Sequence, residues 1–220
     1  MINNMTELCE YQIRLYNNCG KKEINEELLI LKETMEQESI KYLLDHLHGL
    51  PYSYLKIISE YDLYEKFIYY FFLSPEALFS TVETFDMVET LVNCNTVEPF
   101  LPKDFLDKKG LFWIGSDACD HMIYVAKGSY EFEEGEVVLI EQILEDEDNP
   151  APEDIQPLAK DFEQFLIVAG NFDQIVRREI KTDVKKDSSD FEIIRQKLLE
   201  RLKKLGVAEK YHDVWLSFFC

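Results

Sequence analysis

Basic residues are scarce in this chain: 23 Lys and Arg stand against 43 Asp and Glu, a formal net charge of −20 over 220 residues. Such an excess repels DNA, RNA and anionic lipid and draws basic partners inward. Framework cysteines are missing as well. Cys9, Cys19, Cys94, Cys119 and Cys220 form an odd set with no CxxC pair, which excludes a small disulfide scaffold and suits the reduced thiols of a cytoplasmic protein. The opening MINNMTELCEYQ lacks the basic start and apolar core of a secretory signal. No apolar run approaches the roughly 20 residues of a membrane span. The longest, residues 67–73, is the size of a strand.

Signatures of catalysis are absent too. There is no phosphate-cradling glycine loop, GxSxG elbow or dinucleotide fingerprint. His46 and His48 would point roughly 200° apart on a helix that turns about 100° per residue, so they do not share a metal. Asp117, Cys119, Asp120 and His121 crowd together, but zinc sites draw on separated pairs and no second pair occurs. Residues 145–154 are rich in oxygen ligands, yet two prolines interrupt them and the central glycine of a calcium loop is missing. Cys119 lies between two carboxylates that disfavour a thiolate, which makes it a poor nucleophile. The expectation is a protein without catalysis, metal or cofactor.

What is present is a core. Hydrophobic residues make up 46% of the chain and aromatics 13%, enough to bury one substantial domain and to exclude wholesale disorder. At its heart, Leu111-Phe112-Trp113-Ile114 leads into a turn over residues 115–120. Met122 to Ala126 and Glu136 to Ile140 follow beyond Gly128 and Gly135. Short β-branched and aromatic runs punctuated by Gly, Asp and Ser predict neighbouring antiparallel strands. Gly115 and Asp117 suit a turn of positive φ or one capped by a side chain.

Around this centre the pattern is mostly helical. Residues 11–16 alternate as an edge strand would, while residues 6–17 equally admit a helix. Thr34 with Gln37 forms a capping box, and Ile40, Leu43, Leu44 and Leu47 give the stripe behind it, ended by Gly49. Leu28, Leu29 and Leu31 either extend that helix backwards or form a separate piece. Pro51 suits the first turn of a second helix carrying Tyr54, Leu55, Ile57 and Ile58. Residues 67–73 predict one buried strand, and Ser74-Pro75-Glu76 the start of a helix through Leu78, Val82, Phe85 and Val88 or Met87. Residues 93–109 look like a long connection. Leu158, Phe162, Phe165, Leu166 and Ala169 mark a helix ending near Gly170, with another turn through Phe172, Ile175 and Val176.

Charge is laid out unevenly. Between Lys127 and Lys160 lie eleven acidic residues and no basic one. Beyond residue 177 the sign reverses. Residues 181–189 look like a linker, and Ser189 with Glu192 caps a helix whose stripe is Phe191, Ile194, Leu198, Leu202 and Leu205. Arg195, Lys197, Arg201, Lys203 and Lys204 cover its remainder. Val214, Trp215, Phe218 and Phe219 follow. Burying a large apolar side chain is worth about 1.5–3 kcal/mol, so residues 190–220 are expected to pack against the acidic body or a second copy, forming a homodimer, and not to anchor in a membrane.

Several of these pieces, in order, resemble the SUKH superfamily, which includes immunity proteins of bacterial polymorphic toxin systems and a fungal regulator of cell-wall synthesis. Leu50-Pro51 enters a helix, and Ser74, Glu76 and Leu78 follow a strand. Ile114, Gly115 and Asp117 form a strand end, Gly135 and Val137 a strand start, and Leu158, Ala159, Phe162, Phe165 and Leu166 the closing helix. The resemblance spans residues 35–176, between an N-terminal extension (1–34) and a linker with a basic C-terminal helical segment (177–220). Ala118 and Cys119 replace the glycines usual after the aspartate, while Asp120 is kept.

The resemblance implies an α+β domain with a strongly curved, mainly antiparallel sheet flanked by helices, and additional helices at both ends. Leu50, Pro51, Gly115, Gly135, Phe162 and Phe165 would be its structural motif residues. It also implies binding in place of catalysis: bacterial relatives neutralise a cognate toxin, often a nuclease, by direct contact. A toxin that holds phosphate presents a basic surface, which an acidic protein can occupy. Asp117, Asp120, Glu131, Glu133, Glu134 and Glu136 are the expected contact residues for such a toxin. Nucleic acid and membrane are not expected partners. The alternative function is that of a regulatory or scaffold protein with no toxin.

Overall fold

The computed structural model describes residues 1–19, 30–31, 35–63, 66–68, 71–73, 87–97, 99–117, 121–141, 155–179 and 188–218. In chain order these form α1 (Met5–Cys19), β1 (Ile30–Leu31), α2 (Gln37–His46), α3 (Tyr52–Glu60), β2 (Tyr61–Asp62), β3 (Phe67–Ile68), β4 (Phe71–Phe72), α4 (Met87–Thr96) and α5 (Lys103–Lys109). There follow β5 (Leu111–Asp117), β6 (Met122–Lys127), β7 (Glu134–Ile140), β8 (Ile155–Ala159), α6 (Phe162–Glu179), α7 (Ser188–Lys204), a 3-10 turn (Glu209–Tyr211) and α8 (His212–Ser217). Strands β3 to β8 make one six-stranded sheet in sequence order, every neighbour antiparallel. Strands β1 and β2 pair separately. The fold is α+β with helices at both ends.

The sheet is buried on both faces, and the alternation of β6 and β7 shows how. Ile123, Val125, Val137 and Leu139 join a core with Phe162, Phe165, Leu166 and Ala169 of α6. Met122, Tyr124, Ala126, Val138 and Ile140 face the other way, against Leu101, Phe105 and Leu106. Coverage on both sides explains why these strands read as unbroken apolar runs. Register shifts in β5–β6, β6–β7 and β7–β8 mark bulges, each of which bends and twists the sheet further.

Several sequence expectations are corrected. Residues 67–73 hold two short strands: Phe67 pairs with Phe72 and Ile68 with Phe71. A wholly apolar run carries no alternation from which to tell one strand from a hairpin. Gly115 and Ser116 lie within β5, opposite Ile123 and Met122, at its bulge. Gly115 is not among the positive-φ glycines. Residues 93–109 are not a wholly irregular connection, because α4 reaches Thr96 and α5 covers Lys103–Lys109. Pro102 is its N-cap and Gly110 its left-handed C-cap at φ 69°. Leu158 belongs to β8, and α6 starts only at Phe162, then runs past Gly170.

The helix starts of α2, α3 and α7 differ from the sequence expectation. Helix α2 starts at Gln37 after Glu36, with no side-chain cap, while Thr34 and Ser74 lie outside the described residues. Pro51 is the N-cap of α3, one position before the first turn. Ser189 falls inside α7, which begins at Ser188. Leu31 lies in β1, so it does not extend α2.

Both chain ends belong to the main core. Residues 6–17 are helical, and Ile2, Met5 and Leu8 pack with Ile194, Leu198, Leu202, Val214 and Trp215. Buried Asn171 of α6 receives the Ile2 N–H at 3.1 Å and donates back to the Ile2 carbonyl at 2.7 Å. Arg201 of α7 donates to the same Asn171 oxygen at 2.8 Å. The apolar stripe of α7 is thus covered within the chain, and the described residues of α1, α7 and α8 share the main core. Among the described residues no helix is long and apolar enough to cross a membrane.

Candidate partner-binding surface

The β6–β7 hairpin carries the acidic residues singled out in the sequence. Lys127 ends β6, and its backbone N–H donates to the Gly110 carbonyl at 2.9 Å. Its aliphatic stem runs past two glycines: a Cβ added at Gly110 would come within 3.0 Å of it, and one at Gly49 within 3.3 Å. On the returning strand Gly135 has φ +87°, and a Cβ there would meet Ser53 Oγ of α3 at 2.7 Å. That glycine has two reasons to be one. The hairpin is rooted against the α2–α3 corner and the end of α5.

Its loop is held by its own polar groups. Ser129 Oγ accepts the N–H groups of Glu131 and Phe132 at 3.2 and 3.3 Å, and Ser129 N–H donates to the Phe132 carbonyl at 2.8 Å. Phe132 tucks half-buried onto the smaller core. Lys109 Nζ meets Glu131 at 2.6 Å. Glu131, Glu133 and Glu134 are exposed. Tyr130, immediately before them, is fully exposed, at 105%. Tyr52, beside Ser53 at the root, is 75% exposed.

Glu136 behaves differently. It is 3% exposed, and it accepts from Lys210 Nζ at 2.8 Å, Tyr211 OH at 3.2 Å and the Glu133 N–H at 3.0 Å. Burial alone would depress the Lys210 amine, but its bonds to Glu136 and Tyr211 and the Glu136 charge more than offset that and hold it above its usual range. The Tyr211 phenol is pushed up to about 12, chiefly by burial. Glu136 is therefore a latch joining β7 to the C-terminal segment, not an exposed contact.

Asp117 is likewise internal, at 1% exposure. One oxygen accepts the His121 N–H at 2.9 Å, and the other lies 2.8 Å from His121 Nδ1. It caps the turn with its side chain, as the sequence suggested. It also sits at the far end of β6 from the acidic loop, about 17 Å away at ~3.4 Å per residue. The six expected contact residues therefore do not form one patch. Glu131, Glu133 and Glu134 cluster, Glu136 lies beneath them, Asp117 faces inward at the opposite end, and Asp120 lies outside the described residues.

The motif residues take structural places. Leu50, Phe162 and Phe165 are buried, Pro51 starts α3, Gly115 sits at the bulge and Gly135 at the hairpin root. Other chemistry is sparse. Among the described residues no group of three metal-ligating side chains occurs. His46 and His48 are exposed at a helix end, with His46 Nδ1 2.8 Å from the Tyr42 carbonyl. Burial pushes the Cys9 thiol up, away from a reactive thiolate. Tyr130 was missed in the sequence; its signal was an aromatic residue in an acidic segment bounded by two glycines, with no apolar partner at strand spacing. No protein-family profile, curated protein or solved structure matches this chain.

Proposed function

We propose that this chain is a cytoplasmic immunity protein of SUKH type that binds and neutralises a cognate toxin domain with a basic surface, and that it performs no catalysis. The observation that carries this is the hairpin tip: an uncovered tyrosine followed by three exposed carboxylates on a loop already fixed by hydrogen bonds. Tyrosine is favoured at interface hot spots because it brings a large contact area at low entropic cost, and its ring face attracts cations. The carboxylates supply charge complementarity and speed the encounter. A preformed loop loses little freedom on docking. The order of motif pieces supports the SUKH assignment, and the net charge argues against nucleic acid or membrane as the partner.

The test pairs genetics with kinetics. Co-expression should rescue cells from the toxin encoded beside this gene, and Glu131→Lys, Glu133→Lys and Glu134→Lys together should slow association and blunt its salt dependence. Unchanged association with a genuine toxin partner would show that the face is wrong.

A non-enzymatic regulator or scaffold is the second reading. It is favoured by α1, which adds to the core and opens a cleft that a minimal inhibitor does not need. That reading predicts several weak partners in a pull-down and no rescue.

A further inference from the structure

The two arms of the acidic loop are fastened by different means. Residues 129–132 are held within the loop by the Ser129 hydroxyl and by the ion pair of Lys109 with Glu131. Residues 133–136 close on a single carboxylate. The Glu136 N–H donates to the Glu133 carbonyl at 3.1 Å, and the Glu133 N–H donates back to Glu136 Oε2 at 3.0 Å. The register places this turn at a bulge: between the pairs Val125–Val137 and Lys127–Glu134, β7 has one residue more than β6. An extra residue of that kind re-aims a side chain out of strict alternation. Glu136 Oε1 is left to the C-terminal segment, where Lys210 Nζ and Tyr211 OH reach it at 2.8 and 3.2 Å.

Among the described residues Lys210 is the one cation paired with Glu136, whose side chain is almost wholly buried. Tyr211 is buried as well, and its ring lies 4.8 Å from Lys210 Nζ, so packing holds the amine in place. Without Lys210, a carboxylate at that depth must either protonate or turn out to solvent. Protonation weakens it as an acceptor for the Glu133 N–H, and turning out removes it. In both cases the arm carrying Glu133 and Glu134 loses its fastening. The arm carrying Tyr130 and Glu131 keeps Ser129 and Lys109.

We propose that Lys210 is a positioning residue for the partner-binding loop: through Glu136 it holds Glu133 and Glu134 in the arrangement that meets a basic partner. This role rests on the reading of the loop as the contact surface, and it makes the C-terminal segment part of binding as well as of packing. The sign of the effect separates positioning from charge. Lys210 is itself a half-exposed cation at the foot of the acidic loop, so removing its charge alone makes the surface more attractive to a basic partner. Positioning predicts the reverse, because a loosened arm has to be ordered again on docking.

The test follows backbone amide exchange in the full chain by 1H–15N NMR for Lys210→Met, with Lys210→Arg as the variant that keeps the charge. In Lys210→Met the Glu133 amide is expected to exchange at least about tenfold faster, the factor that one hydrogen bond to a charged acceptor carries. The Glu131 and Phe132 amides should keep their native rates, and Lys210→Arg should restore Glu133. Unchanged exchange at Glu133, equal acceleration at Glu131 and Phe132, or no restoration by Lys210→Arg each overturns the positioning role, with no toxin present. Toward the toxin encoded beside this gene, Lys210→Met should bind several-fold more weakly than the native chain, and equal or tighter binding overturns the proposal. Failure of the native chain to rescue cells from that toxin would instead remove the contact-surface reading, and the proposal with it, even where the exchange results hold.

Discussion

The indole N–H of Trp215 donates to the main-chain carbonyl of Leu158 at 2.8 Å. Leu158 sits at the bulge of β8, between the pairs Val137–Ala159 and Val138–Pro157, so α8 closes the outer edge of the sheet. Exposed edges invite pairing with other chains. Pro157, which has no N–H, blunts this edge further. Trp215 also stacks its ring near Phe71, Phe165, Phe172 and Phe218, with centroids 5.4 to 6.1 Å away.

Trp215→Ala should therefore cost about 3–5 kcal/mol, as for a large aromatic removed from a core, and should promote self-association through the uncovered edge. Trp215→Phe should lose about 1 kcal/mol, mostly the hydrogen bond. Urea unfolding and light scattering measure the two effects. A stable monomer for Trp215→Ala would refute the role given to α8.

Gly135 and Gly206 separate strain from crowding. Both have positive φ, +87° and +68°, but a Cβ on Gly135 meets Ser53 Oγ at 2.7 Å while one on Gly206 meets nothing within 4 Å. Gly206→Ala should cost only the backbone term, about 1 kcal/mol. Gly135→Ala should cost more, because α3 and the hairpin root must also separate. An equal shift in the urea midpoint would show that Ser53 yields freely.

The sheet was legible in the sequence because β5, β6 and β7 are short β-branched and aromatic runs set off by turn residues. Helix α7 was legible because its period is regular and Ile194, Leu198 and Leu202 all face one core. What escaped was decided by tertiary contacts. The 67–73 run folds back because Phe71 is drawn between Phe165 and Trp215. Helix α6 continues through Gly170 because Leu8 needs that space, so a glycine that looked like a stop is a crossing point. Glu136 and Glu133 are both acidic residues in the same segment, yet one is buried by Lys210, 74 residues away. Nothing local distinguishes them.

Asp173 gives the pH dependence. Burial raises its carboxyl above the ordinary 3.8, opposed by the Arg177 charge and by hydrogen bonds from Tyr11 and Arg177. A carboxyl that is raised in the folded state favours folding while both states are protonated. As pH climbs past 3.8 the unfolded chain ionises first, so this contribution is lost as pH rises through the folded value. Asp173→Asn removes the titration and keeps the shape. The stability of the native chain relative to Asp173→Asn should thus decline as pH is raised from about 4 towards neutrality. A difference that stays flat, or grows with pH, would contradict the dominance of burial at this site.

Tyr130 is where stability and binding come apart most cleanly. Its ring touches nothing that folding buries, so Tyr130→Ala should change the unfolding free energy by less than about 0.5 kcal/mol, as for ordinary surface substitutions. Phe132, two residues on, packs onto the smaller core, and Phe132→Ala should destabilise the hairpin measurably. If the hairpin tip is the contact surface, Tyr130→Ala should weaken partner binding by about 2 kcal/mol or more, the scale of an interface hot spot. That loss should appear mainly as faster dissociation, since neither the charge nor the loop scaffold is altered. Glu131→Lys should instead act on association, because it reverses a charge that steers a basic partner. Calorimetry of unfolding alongside surface binding kinetics distinguishes the two. Native affinity in Tyr130→Ala would remove the hairpin tip from the interface.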